Sequence, residues 1–307
     1  MTDTGSLPAG VETGVGLTAL MVAAARAIES HRGDALASDL YAEHFVRAAQ
    51  ASTHWPVHPN QVPDGDANPL WGRLGRYFGL RTRVLDDFVH QSIHAGAGQT
   101  VILGAGLDTR AFRLDWPPGH VAFELDRQEV LDFKHEVLGA LHATAKTTRI
   151  PISIDLDTEW AGSLIDAGFN PDIPSAWLAE GLLLYLSSTA EEHLIATIDR
   201  LSAEASTLAY EVKLGTEQPA VRDSPVYTST KHQIGVDLLA LFDPEPRPDS
   251  AAELEARGWS TTISTPFEFT RRHGRGPHPE PDDALASNRW VFADKPRAED
   301  TSPPATA

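Results

Sequence analysis

The sequence predicts an α/β protein with a doubly wound sheet, and three observations carry the prediction. From residue 100 onward short β-type runs alternate with helical stretches, the pattern of a parallel sheet assembled from βαβ units. The first of these strands opens into Gly104-Ala105-Gly106, and ligands of such sheets sit beyond the strand ends, where a missing Cβ admits them. The second ends in Glu124-Leu125-Asp126, with Glu124 on the same side of the strand as Asp126. An acid about twenty residues past the glycines is placed to accept hydrogen bonds from ribose hydroxyls.

The elements follow in order. Residues 1–14 are small and polar and read as a loose tail, as does 298–307, because neither buries enough apolar area to offset its ordering entropy. TALMVAAARAIESHR and SDLYAEHFVRAAQ repeat apolar residues every three or four positions, which predicts two amphipathic helices between Gly16 and about Gln50. Pro56, Pro59, Pro63 and Pro69 break the chain before a third helix, WGRLGRYFGLRTRVLDDFVHQSIHAG, running to Gly96. The strands read as TVILG, HVAFELD, RIPISID, AWLAEGLLLY and TLAYEV; a helical segment follows the glycine turn, and DRQEVLDFKHEVLGALHA, DTEWAGSLIDAGF and STAEEHLIATIDRLSAE form further helices. Beyond Lys213 come an irregular Pro/Ser/Thr-rich stretch over 215–231, the apolar run IGVDLLALF, a helix near SAAELEARG, a strand-like WSTTIST and a final strand NRWVFADK. The expected organisation is a helical cap over 15–95 and a core over 96–297 with an insert at 213–250.

Composition narrows the partners. With 25 Lys+Arg against 43 Asp+Glu, the net charge of −18 repels phosphate backbones and anionic lipid surfaces, so neither nucleic acid nor a membrane is an expected partner. The run Arg271-Arg272-His273-Gly274-Arg275 reads as a solvated loop. The absence of cysteine removes disulfides and thiolate chemistry and fits a reducing compartment. MTDTGSLPAGVETG lacks a basic-then-apolar leader pattern, no window approaches a bilayer-spanning run, and the expectation is a cytoplasmic protein. His54 and His58 stand four apart with Pro56 between them, which breaks the helix that such metal ligands need; no metal is expected.

The glycines and Asp126 together indicate an adenosine-containing cofactor. Only G-x-G is present, and Arg110 lies one past the place of the third glycine of a dinucleotide pattern. Asp108, at the start of the following helix, caps it well but would repel a pyrophosphate. A cofactor without phosphate, such as S-adenosylmethionine, tolerates that carboxylate. Two alternatives stay open on these residues: an NAD-dependent oxidoreductase, and a cofactor-retaining binding protein that does not methylate.

The phrases VILGAGLDTRAFRL, FELDRQEVLDFKHEVL, PISIDL and WLAEGLLLYL, taken in order, resemble the leucine carboxyl methyltransferase family, most closely its actinobacterial branch of polyketide-type and other O-methyltransferases. The likeness is good over 70–212 and looser over 213–296. It implies a class I methyltransferase sheet of seven strands, the last antiparallel, with S-adenosylmethionine as methyl donor. Carried over by residue, Gly104, Ala105 and Gly106 line the methionine portion and Asp126 holds the ribose. Asp155 and Leu156 flank the adenine, Glu180 lies near the amino end, and Arg81 or Arg83, with Arg81 preferred, grips the carboxylate. Transfer to a carboxylate needs little acid–base help, whereas a hydroxyl acceptor wants a base, for which Tyr185 and His232 are candidates. If the N-terminal helices and the 213–250 insert form a lid over a small-molecule acceptor, Tyr227 and His232 line its cavity. A homo-oligomer is compatible with the sequence.

Overall fold

The computed structural model describes residues 9–215, 219–280 and 283–297; the expected tail at 298–307 lies outside the described residues. Seven strands form one sheet: β1 (Gln99–Leu103), β2 (Val121–Asp126), β3 (Thr148–Ser153), β4 (Ser175–Ala179), β5 (Thr207–Lys213), β6 (Ser260–Ser264) and β7 (Asn288–Asp294). Their spatial order is β3-β2-β1-β4-β5-β7-β6. The first five pair in parallel, and β7 runs antiparallel to both β5 and β6. This is the seven-stranded arrangement that the resemblance implies. The order reverses between β1 and β4, so a crevice opens where their C-terminal ends separate.

Central strands are covered on both faces, which explains why every residue of β1 and β4 is buried. β3, by contrast, is a mostly exposed edge strand, and an edge tolerates Pro151 in its ladder. The strand read as AWLAEGLLLY stops at Ala179, because Gly181 takes φ +63° and turns the chain into a 3-10 helix at Leu183–Tyr185. Similarly, the helix after the glycine turn is only α4 (Arg110–Arg113), since the extended Leu114 leads directly into Pro117 and Pro118.

Three helices precede the sheet: α1 (Val15–Ser30), α2 (Ala42–Ala48) and α3 (Gly75–His94). α1 buries Leu20, Ala23, Ala24, Ala27 and Ile28 along one stripe, and α3 buries Tyr77, Leu80, Arg81, Val84, Leu85 and Phe88 at matching helical spacing. Short 3-10 turns fill the proline-rich link, and a π-helical turn at Pro69–Leu74 runs straight into α3. Asn68 caps that turn, its side-chain oxygen accepting from the backbone N–H of Leu70 and Trp71 at 3.0 and 2.8 Å. Part of the supposed N-terminal tail is ordered too: a 3-10 turn at Ala9–Glu12 inserts Val11, fully buried, into the same core.

Helices α5 (Gln128–Ala140), α6 (Ala161–Asp166), α7 (Ser188–Leu201) and α11 (Ser250–Ala256) complete the layers. The insert is helical rather than irregular: α8 (Pro219–Arg222), α9 (Pro225–Ile234) and α10 (Leu238–Leu241) occupy it. A proline at the first helical position costs nothing, so Pro219 and Pro225 of the stretch read as irregular act as helix starts. The basic run also belongs to a helix. Arg271, Arg272 and His273 form the last turn of α12 (Pro266–His273), where cations complement the helix dipole, and Gly274 ends it in the left-handed conformation.

Candidate active site

At the strand-order reversal lies a cavity of about 350 Å³, within the range of small-molecule sites. One end is built by the tips of β1, β2 and β4. Gly104 and Gly106 take φ +61° and +45°, conformations open to glycine at little cost. A Cβ at Gly106 would sit in ordinary van der Waals contact with the Ala19 Cβ at 3.8 Å, so the turn is not closed off by packed side chains. The turn is tied down from below. Asp126 accepts from the Gly106 N–H through Oδ2 at 2.6 Å and from the Arg127 N–H through Oδ1 at 2.7 Å, while the Ala105 N–H donates to the Leu125 carbonyl at 2.9 Å. Burial pushes the Asp126 carboxyl above the ordinary range, and these backbone donors pull against it.

Ala105, Asp155, Leu156 and Glu180 line the same cavity, as does Arg81 from α3; Arg83 does not, because it lies two positions further round the helix and pairs with Asp87 at 2.8 Å. Glu180 is engaged from two sides, by Arg81 Nε at 3.0 Å and Arg110 Nη1 at 2.8 Å. Arg110, fully buried, also binds Asp86 at 2.8 Å and Asp108; Arg81 also binds Glu211, which accepts from the Tyr77 hydroxyl at 2.6 Å. Burial raises the Glu180 pKa, but the attraction of Arg110 and Arg81 outweighs it and holds the carboxyl at about 2. The carboxylate read as a partner for an ammonium is thus already the centre of an ionic lattice.

The same lattice revises the role of Asp108. It does accept from the Arg110 N–H at 2.6 Å, but its charge is neutralised by the Arg110 guanidinium, which holds its carboxyl low against the opposing effect of burial. Glu124, expected beside Asp126, turns under α5 instead and pairs with the fully buried Lys134 at 2.7 Å and with Arg149.

The opposite end of the cavity is apolar and aromatic. α1 contributes Ala19, Met21 and Val22, the insert contributes Val226, Tyr227, Leu238 and Phe242, and Tyr185 closes the wall between them. Residues of both α1 and the insert therefore line the cavity. Tyr185 donates to the Thr18 hydroxyl at 3.2 Å, and burial pushes its own hydroxyl up to about 12, which keeps it protonated at neutral pH. His232 is a correction. It is exposed and does not line the cavity, because five residues along α9 from the inward-facing Tyr227 rotate it about 140° to the outer face.

Sequence reasoning missed Glu211 and Lys213, both lining the cavity from β5. The signal was present: TLAYEVK alternates with period two, and charged residues in a strand otherwise buried on both faces need a reason, the argument that singled out Glu180.

Comparison with known proteins settles the class. The profile of leucine carboxyl methyltransferase matches residues 19–199. The chain belongs to the leucine carboxyl methyltransferase family. A protein of Streptomyces coelicolor is 62% identical over 301 residues, covering 97% of this chain and 99% of its own, and bears the provisional name of an S-adenosyl-L-methionine-dependent methyltransferase. Proteins of the same provisional name from Saccharopolyspora erythraea (43% identical, 81% of this chain, 84% of its own) and Rhodococcus jostii (40%, 89% and 90%) match as well. The protein is accordingly a methyltransferase of this family with S-adenosylmethionine as methyl donor, and the oxidoreductase alternative falls away. Among the described residues no group of three or more His, Asp or Glu side chains is arranged to hold a metal, and no helix is long and apolar enough to cross a membrane.

Proposed function

We propose that this methyltransferase transfers a methyl group to a carboxylate or hydroxyl oxygen of a small, largely apolar acceptor of the natural-product kind. The observation that supports the reading is the division of one cavity into a charged end on the strand tips and an aromatic end under α1 and α9. The charged end suits the donor: Gly106 for close backbone approach, Asp126 for the ribose, Asp155 and Leu156 for the adenine, and Arg81 and Glu180 for the amino-acid portion. Bound there, S-adenosylmethionine supplies an electron-poor methyl carbon on its sulfonium.

The work of the chain is to hold the acceptor oxygen in line and keep water out. The tyrosines lining the aromatic end are poor bases: burial pushes Tyr185 to about 12 and Tyr227 further above its ordinary value. They serve as donors and walls. That favours an acceptor oxygen already ionised near neutral pH, a carboxylate foremost.

Calorimetry with S-adenosylhomocysteine and with NAD tests the donor site. The first should bind and the second should not, and Asp126→Ala should weaken the first by about tenfold or more, the loss expected for hydrogen bonds to a charged group. Radiolabelled methyl transfer to candidate acceptors, followed by mild alkali, reports the bond formed, since esters are cleaved and ethers survive. Binding without any transfer across carboxylate and hydroxyl acceptors would instead favour a cofactor-retaining binding protein. Tyr227→Ala should raise the acceptor KM and leave donor affinity unchanged; His232→Ala should change neither.

A further inference from the structure

Five Lys or Arg residues are buried among the described residues: Arg26, Arg81, Arg110, Lys134 and Lys213. Four of them hold a carboxylate oxygen at 3.0 Å or less: Arg26 on Asp39, Arg81 on Glu180, Arg110 on Asp86 and Lys134 on Glu124. Lys213, only 9% exposed, has no carboxylate oxygen within 4.0 Å among the described residues. Its ammonium donates to the Ala284 carbonyl at 2.6 Å and to Asn288 Oδ1 at 2.7 Å, both neutral acceptors. An ammonium has three N–H donors, so one remains, and Lys213 lines the cavity at the aromatic end beside Tyr227, whose ring centroid lies 5.9 Å from Nζ.

We infer that Lys213 is the specificity-determining cation of the acceptor site, and that the acceptor is an oxyanion on an apolar body: a carboxylate or an ionised acidic phenol. The inference rests on the proposed O-methyl transfer and names the charge state of its substrate. A buried cation without a counter-ion is costly, and here burial drags the Lys213 pKa down to about 8 while Glu211 and Asp283, too distant to pair, pull it back only in part. An incoming oxyanion supplies a charged partner, takes up the third N–H and favours the ammonium form that burial disfavours. A neutral acceptor of the same shape leaves that N–H unused. An amine acceptor, itself a cation at neutral pH, is repelled. Methylation of a carboxylate or phenolate removes the negative charge, so the same lysine holds the substrate and releases the ester or ether.

The test uses the full chain saturated with S-adenosylhomocysteine and two pairs of matched probes, phenylacetate with phenylacetamide and para-nitrophenolate with nitrobenzene. The expected result is that the wild type binds at least one anion about tenfold or more tightly than its neutral partner, and that Lys213→Gln and Lys213→Met both lose the preference while S-adenosylhomocysteine affinity and thermal midpoint stay near wild type. The pair that shows the preference distinguishes a carboxylate acceptor from a phenolic one. Should Lys213→Met fold poorly, Lys213→Gln, which still offers a donor to Ala284, carries the comparison. A wild type without anion preference, or a Lys213→Gln variant that keeps it, overturns the inference; failure of S-adenosylhomocysteine to bind the wild type overturns the methyl-donor reading itself and is seen before any probe is added.

Discussion

A methyl group added at Gly104 would meet Leu182 Cδ1 at 2.9 Å, whereas one added at Gly106 would meet nothing closer than 3.8 Å, although both residues have positive φ. Gly104→Ala should therefore cost more stability than Gly106→Ala, which pays about 1–2 kcal/mol for the left-handed backbone alone. Urea unfolding of the two variants checks the ranking. Glu180→Gln removes the shared partner of Arg81 and Arg110, but each arginine keeps a second carboxylate, Glu211 and Asp86 respectively. The expected loss is about 1–3 kcal/mol, as for leaving hydrogen-bonding groups unsatisfied. Its pH dependence has a definite sign. With the folded-state pKa depressed to about 2 from an ordinary 4.5, the stabilisation is complete above about pH 4.5 and is lost as pH falls towards 2. Wild type and variant should accordingly converge in acid, and a constant gap from pH 6 to pH 2 would contradict this account.

Among the elements, the entry to α3 depends on one side chain. Asn68, buried, satisfies the N–H groups of Leu70 and Trp71, so Asn68→Ala should destabilise by about 1 kcal/mol, which thermal unfolding will register. The elements that sequence reading anticipated are those in which a single local rule governs. The strands at TVILG and HVAFELD, the amphipathic α3 and the closing NRWVFADK all keep a regular period to a defined end. The misread ones are decided by a competing rule. AWLAEGLLLY is uniformly apolar, but one backbone reversal at Gly181 splits it. The 215–231 stretch has the composition of a loop, but its prolines fall at helix starts. Within the site, the places of Arg81, Asp126, Asp155 and Glu180 on the cavity wall were legible because each carries a local motif, whereas the lattice joining α3, α4, β5 and the end of β4 depends on side chains up to 134 positions apart, as between Tyr77 and Glu211, and has no local signature. His232 failed for want of a helical phase, which only the start of α9 at Pro225 supplies.

Across the whole molecule, α1 belongs to the core as much as to the cavity wall, because one stripe packs on α2 and α3 while the neighbouring stripe faces the cavity. A segment so buried does not open cheaply. Hydrogen exchange should find the amides of α1 protected to nearly the level of β1 and β4, and any opening that admits a ligand should fall on the insert, where α9 and α10 have fewer neighbours. Rapid exchange along α1 would show that the mobile cover is on the other side. The −18 charge acts at this scale too: it disfavours the approach of large polyanions, so an acceptor of the anionic kind inferred above has to be small enough to leave that field and enter the aromatic end of the cavity beside Lys213.

The order of these parts along the chain bears on biosynthesis. Residues 9–94 emerge from the ribosome before any strand does, so α1 has its helical neighbours α2 and α3 at hand before the sheet exists. The sheet must wait, since β5 pairs with β7, the last strand to be made. A nascent chain thus carries α3 with the face that packs on β1, β4 and β5 still uncovered while unpaired strands accumulate behind it, and the interval in which it is most open to aggregation ends when β7 slots between β5 and β6.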